Sequence, residues 1–474
     1  MPNGVIVLEF NELVPSLLDQ FIKDGHLPNF KSLRDTAITA TTDAEEEPPQ
    51  LEPWIQWVTV HAGVPFSEHR CFDLNDGAKF KAPRIWDLVS DSGGRVWVCG
   101  SMNAGVQSPN INGHVLPDAW ASEVEAVPAR FFEPYTRLVR AYVQEHSSGK
   151  PNVSTADVLR FARFMVANGL SAKTVWTTLR QLIEERRSAS KWRRATILDR
   201  LQWDLFRAVY KANKPPFATF FLNSTAHFQH FHWREMEPEL FTVKPSTADL
   251  ATYRDAILFG YKQMDELVGE ALSLAGSDTS VVLCTALSQK PMLTHEEAGG
   301  RQIFRHHDHQ ALLQFAGVAG GYEYAPIMSQ QFILTFGSES EAEAALAKID
   351  ALRLDDGQQV MWGKVDGTKV LTGCAVDRPP AENAMVSSGA SNEKHRFFDM
   401  FYPLDALRSG MHHPDGVLWV RTPSRRHVAI HRKVSLLEVA PTLVALAGVD
   451  TPHQFQREPM GEVLDAVKPL RAVA

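Results

Sequence analysis

The sequence predicts an α/β fold: a central, mostly parallel sheet covered by helices on both faces. Three observations carry that expectation. Residues 4–9 (GVIVLE) form a continuous apolar, β-branched run of the kind buried in a parallel sheet. Further strand-like runs follow at 95–99 (RVWVC), 216–222 (PFATFFL), 280–284 (SVVLC) and 416–421 (GVLWVR). Helical patterns separate them, which is the rhythm of strands joined by helical crossovers.

Each element has a local reason. After the first run, Leu13, Leu17, Leu18, Phe21 and Ile22 recur at helical spacing across 13–35. Gly25 stops that helix, and a second short one starts at Pro28. Helical patterns recur at 251–275 and 434–447. From about 129 to 212 the strand rhythm breaks. That stretch is helical in pattern and rich in Arg and Trp, among them Arg186, Arg187, Lys191, Trp192, Arg193, Arg194 and Trp203. It reads as a helical insertion or cap within a single domain spanning 1–474. Its basic cluster is either a solvated helix face or a contact for an anionic substrate or membrane surface. Residues 320–400 combine a helix pattern at 341–354 with strand-like 358–372, and read as a small α+β subdomain.

Composition limits the function classes. The chain has 474 residues, 44% hydrophobic and 22% charged, so it affords a sizeable core. Its formal net charge of −8 argues against a dedicated nucleic-acid binder. Cys71, Cys99, Cys284 and Cys374 form no C-x-x-C pair, so neither a disulfide framework nor a zinc knuckle is expected. No secretory signal is visible, and no apolar run reaches the ~18–20 residues of a membrane span. A cytoplasmic location without a transmembrane segment is the expectation. Walker A, G-x-G-x-x-G and H-E-x-x-H patterns do not occur.

Five separated segments resemble the alkaline phosphatase superfamily, in its type I phosphodiesterase/nucleotide pyrophosphatase and sulfatase-like branches. VIVLEFNELVPSLLDQFIKDGHLPNFKSL is similar to the opening motif, with Glu9 where the family has a metal-binding Asp. PWIQWVTVHAGVPFSEHRCF (53–72) resembles the nucleophile region, keeping Ala62-Gly63, Pro65 and His69. AHFQHFHW is similar to a D-x-x-x-H motif, with His230 at the His and Ala226 at the Asp. The strand 280–284 is followed by Thr285-Ala286-Leu287-Ser288 where the family has S-D-H-G. SGMHHPDGVLWV places His412 at a final metal ligand, and VSLLEVAPTLVALAGVDTP resembles the closing helix.

The resemblance implies an alkaline phosphatase-like sandwich and a hydrolase of a phosphate or sulfate ester. The family clamps its substrate between two divalent cations and attacks it with a Thr or Ser alkoxide. Here Ala286 and Leu287 cannot ligate, and the nucleophile position falls near Leu51 or Glu52. A divergent site with one divalent cation (Zn or Mn), or with none, is therefore expected. The metal ligands implied are His230, His412 and Glu9. Glu52 stands for the nucleophile or base, with Glu9 and His227 in acid–base roles. Asn11, Gln56, Asn223 and His413, with Arg186 and Arg194 from the cap, are the substrate-binding candidates for a small-molecule or glycan anionic ester. Glu12 and His61 belong to the same expected cluster of polar residues at strand ends and their loops, where ligands bind in open α/β sheets. A second group, Arg305 to His309 with His295, Glu296 and Glu297, either donates replacement ligands or forms a polar loop. Ser101 and Asn103 either line the pocket or form a turn. The competing readings are a binding module that has lost catalysis, or a glycosyl- or phosphotransferase of carbohydrate assembly on the same fold.

Overall fold

The computed structural model describes residues 4–467, except 73, 75, 122, 145–152, 295, 299, 327–329, 391, 405–406 and 451–453. The chain folds as an α/β sandwich around an eight-stranded sheet. Its strands are β1 (Gly4–Phe10), β2 (Ile38–Asp43), β3 (Val96–Cys99), β4 (Gly113–Leu116), β5 (Phe217–Leu222), β6 (Thr279–Cys284), β7 (Asp415–Arg421) and β8 (Val428–Ser435). They lie in the order β8-β2-β7-β6-β1-β5-β3-β4. β1 pairs in parallel with both β5 and β6, and β7 runs antiparallel to both its neighbours.

Alternation along β1 sets the layers. Ile6, Leu8 and Phe10 enter one core, with the helices Pro15–Lys23, Ala195–Asn213 and Ala256–Ala275. Val5 and Val7 enter the other, with the helices Pro53–Ala62, Ile85–Asp91 and Val439–Leu446. Because side chains alternate across the pleat, one strand serves both hydrophobic layers. The helical pattern of 434–447 begins later than expected. Val434 and Ser435 finish β8, and Ser435 then caps the following turn in a reciprocal arrangement with Glu438.

Residues 129–213 contribute four long helices, Ala129–Gln144, Thr155–Ala167, Ala172–Glu184 and Ala195–Asn213. The last docks on the end of β5, where Gln202 Nε2 donates to the Phe221 carbonyl at 2.7 Å. Further along, an antiparallel four-stranded sheet (Tyr322–Pro326, Phe332–Phe336, Met361–Asp366, Lys369–Cys374) packs with the helix Glu339–Ile349 on a separate core. A two-stranded ribbon joins Ser288–Pro291 to Gly410–His413 and stands at the carboxyl end of β6. No helix among the described residues is long and apolar enough to cross a membrane.

Candidate metal centre

The site grows from the carboxyl ends of β1 and β5 and from the ribbon. β1 ends at Phe10, and the next two residues turn sharply. Glu12 takes φ +60°, a left-handed conformation that costs a non-glycine residue about 1 kcal/mol. Its surroundings hold it there. Gln229 Nε2 donates to the Glu12 carbonyl at 2.7 Å, and Tyr261 Oη in turn donates to Gln229 Oε1 at 2.8 Å. Asn11 is fixed equally well: its amide accepts from Trp57 Nε1 at 2.8 Å and donates to Asn223 Oδ1 at 2.7 Å and Glu12 Oε1 at 2.8 Å.

Two imidazoles meet the Glu12 carboxylate. His230 comes from the helix Ser224–Met236 that follows β5, and its Nε2 lies 3.1 Å from Glu12 Oε2. His412 comes from the ribbon, its Nε2 3.7 Å from the same oxygen. Gln289, directly opposite His412 across the ribbon, also donates to Glu12. Each histidine is oriented by a backbone carbonyl. His230 Nδ1 donates to Gly410 O at 3.2 Å, and His412 Nδ1 donates to Leu51 O at 3.0 Å. Carbonyl oxygens only accept, so the Nδ1 protons are assigned and both Nε2 lone pairs are left bare. Two lone pairs and a carboxylate thus converge within 4.8 Å of one another. That arrangement repels itself until a cation or a proton enters. The nitrogen and oxygen donor set suits zinc or manganese.

Electrostatics prepare the same state. When a proton takes the cation's place on the Nε2 side, burial opposes the Glu12 charge, but the charges of His230 and His412, with hydrogen bonds from protonated His230 and from Gln289, outweigh it and hold the pKa down to about 2. Burial pushes His412 down to about 3; Glu12 opposes this, while His230 and Arg408 add to it. The acid is ionised and His412 is neutral, as ligands must be.

Glu52 lies on the other side of His412, its Oε2 3.4 Å from Nδ1. It is the residue before the helix Pro53–Ala62 and keeps 30% of its side-chain surface open. Burial raises its pKa to about 8; Arg408 opposes the rise and Glu12 adds to it. The Arg408 side chain is drawn back toward its own ribbon by a 3.2 Å bond from Nε to Gly410 O. Sequence reasoning missed Arg408 and Gln289 altogether. Only the ribbon register sets Gln289 opposite His412, and the sequence carries no strand signal there that would have shown it.

Several expectations are corrected. Glu9 is not part of the cluster. It is buried, its Oε1 3.0 Å from His61 Nε2, and Glu12 supplies the carboxylate that meets the histidines. The reason is direction: Glu9 shares its face of β1 with Val5 and Val7, toward the helix Pro53–Ala62, and that helix carries His61. Gln56 is buried and donates to Gln50 O at 3.0 Å, so it does not face an open site. His413 points to the opposite face of the ribbon from His412, where its Nδ1 accepts from Asp415 N at 3.2 Å. Arg194 pairs with Glu185 on the exposed insertion, Arg186 is exposed there, and no contact among the described residues ties either to the cluster. Asn223 is brought in through Asn11. His227 lies one turn before His230 on the same helix and is exposed. The surrounding protein, then the charges of His230 and Arg305, lower its pKa.

The histidines of the second group make their contacts elsewhere, while Arg305 lies near enough to His227 for its charge to act there. His309 stacks on Tyr324 with centroids 3.9 Å apart, His306 packs against Phe332, and Asp308 caps the helix His309–Phe315. Glu296 bonds Thr242 and Glu297 pairs with Arg378, while His295 lies outside the described residues. Ser101 and Asn103 are buried, bonded to Thr219 and to Gly77 N respectively. Ala226, Ala286 and Leu287 are buried without any ligating atom.

No protein-family model and no curated protein matches the chain. Solved structures similar in fold include phosphonoacetate hydrolase from Sinorhizobium meliloti 1021 in complex with phosphonoacetate. It is 12% identical, covers 94% of this chain and 96% of that one, and gives a TM-score of 0.41. Human ectonucleotide pyrophosphatase/phosphodiesterase 5 is 8% identical over 95% of this chain and 96% of its own, with a TM-score of 0.45. Phosphonate monoester hydrolase from Silicibacter pomeroyi is 11% identical over 98% of this chain and 77% of its own, with a TM-score of 0.44.

Proposed function

We propose that this chain is a divergent, single-cation member of the alkaline phosphatase superfamily that hydrolyses a phosphate, phosphonate or sulfate ester. One observation carries the reading. The Nε2 lone pairs of His230 and His412 and the Glu12 carboxylate face a common point, each histidine locked in the ligating tautomer by a backbone carbonyl. A divalent cation held there supplies a Lewis acid for an anionic ester oxygen.

The chain's own residues supply the rest. Glu52 stands beside His412 with its carboxyl partly open, placed to exchange a proton with a reacting oxygen. Arg408, whose charge bears on both Glu52 and Glu12, offsets negative charge brought by the ester. His227, exposed one turn before His230 on the same helix, would exchange a proton with substrate held at the centre. The second cation of the family has no replacement ligands at Ala286 and Leu287, so Arg408 takes over part of its electrostatic work.

The test is metal content followed by turnover of aryl phosphate, phosphonate monoester, phosphodiester and sulfate substrates. The reading expects about one bound cation per chain, and loss of both metal and turnover in His230→Ala and His412→Ala. Glu52→Gln is expected to keep the metal and lose turnover. A metal-free protein inert toward every ester would instead favour a non-catalytic binding module, or a transferase.

A further inference from the structure

The insertion contains a helix folded inside out. In Ala172–Glu184 the buried residues are the polar Thr174 and Gln181, and Gln181 Nε2 donates to Ser190 O at 2.7 Å. The exposed stripe is apolar: Val175, Trp176, Leu179, Leu182 and Ile183, with Trp176 68% and Ile183 58% open. These positions recur at the 3–4 residue spacing of one helix face. The preceding helix, Thr155–Ala167, buries Phe164 and Met165 yet also leaves Val158, Leu159 and Val166 exposed, the last 71% open. A soluble domain seldom leaves that much apolar side chain in water without using it.

Charge identifies what covers it. Residues 155–194 carry nine cationic and three acidic side chains, a net of +6 in a chain whose total is −8. Arg163, Arg180, Arg186, Arg187 and Lys191 are all exposed. We infer that the two helices Thr155–Ala167 and Ala172–Glu184 form an interfacial surface that lays the protein on an anionic lipid bilayer. The apolar stripe enters the headgroup boundary, and the cations meet the lipid phosphates and carboxylates. A second copy of the chain would bring +6 against +6 and repel. Arg180, Arg193 and Arg194 pair with Glu184 and Glu185, but a neutral apolar partner would leave Arg163, Arg186 and Arg187 unanswered. This inference stands apart from the metal centre: none of these residues contacts Glu12, His230 or His412.

The test uses the full chain and sedimentation with vesicles of phosphatidylcholine, alone or with about a third phosphatidylserine. Binding is expected only to the mixed vesicles, and weakened by salt. Trp176→Ser/Ile183→Ser is expected to weaken it roughly tenfold or more, as is Arg187→Glu/Lys191→Glu. Both variants remain monodisperse, and the metal content of the centre stays as in the parent. Failure of the parent to bind mixed vesicles at low salt overturns the inference, as does equal binding by both double variants. A parent that self-associates through this face, with Trp176→Ser/Ile183→Ser monomeric and no vesicle binding by either, overturns it in favour of a dimer interface.

Discussion

Glu12 reaches His230 at 3.1 Å from a backbone held at φ +60°, so the turn after β1 and not the strand itself aims the carboxylate. Replacing Glu12 with Gln keeps the shape but exchanges an anionic ligand for a neutral amide. Cation affinity is expected to fall by at least about tenfold, measured by titration of the metal-stripped protein. The hydrogen bonds from Gln229 and Asn11 hold the turn, so thermal stability without metal should change little. Unchanged affinity would remove Glu12 from the ligand set.

Glu9 and His61 make a closed pair 3.0 Å apart, both shielded from water. His61→Leu strands the Glu9 carboxylate in the core and is expected to cost about 3–5 kcal/mol. Urea unfolding should show it as a lower midpoint. Glu9→Leu/His61→Leu should recover much of that loss, because it removes both polar groups together. A double variant no better than the single one would mean that the pair does more than satisfy itself.

Gly410 has no room for a side chain. A Cβ there would meet Gln229 O at 2.3 Å and Gln289 Oε1 at 2.7 Å. Gly410→Ala must push the ribbon off the helix Ser224–Met236, moving His412 and also the carbonyl that orients His230. The expected result is a folded protein with metal binding weakened by about tenfold or more. Parent-like affinity would show that the ribbon tolerates the shift.

Acid should destabilise the fold partly through His69. Its Nδ1 accepts from Cys71 N at 3.1 Å, so its proton sits on Nε2, 3.1 Å from Thr59 Oγ1. Burial first, and then Arg84, lower its pKa from 6.5 to about 4. Above 6.5 both folded and unfolded chains hold it neutral. Between 6.5 and 4 only the unfolded chain takes up the proton, so stability is lost as pH falls through that window, by up to about 3 kcal/mol. His69→Asn keeps an acceptor and cannot titrate. Its urea midpoint should fall less between pH 6.5 and 4.5 than the parent's; parallel curves would contradict the assignment.

How much was legible follows from what each segment buries. β1, β5 and β6 are buried along their whole length, so they read as unbroken apolar runs. β2 (ITATTD) alternates buried and half-buried positions with three threonines, β4 has only four residues, and β8 is largely exposed. None carries a run long enough to stand out. Motif order singled out His230 and His412, which the fold brings together with Glu12. The carboxylate that meets them lies three residues beyond Glu9, whereas a strand-end position was expected to point toward these histidines. Here the left-handed turn at Glu12 does that instead. The inverted helix Ala172–Glu184 has ordinary periodicity in sequence. Only its packing reveals which face is outward.

The three residues of the centre come from segments far apart along the chain: the end of the first strand, a helix near the middle and a ribbon close to the last strand. A cation bound by all three ties these segments together, and the unfolded chain offers it no such grip. Its supply therefore weights the folded population as well as the chemistry, by an amount that grows with the logarithm of free ion over its dissociation constant. Bound there, such a cation would make the chain's resistance to unfolding follow the ion supply.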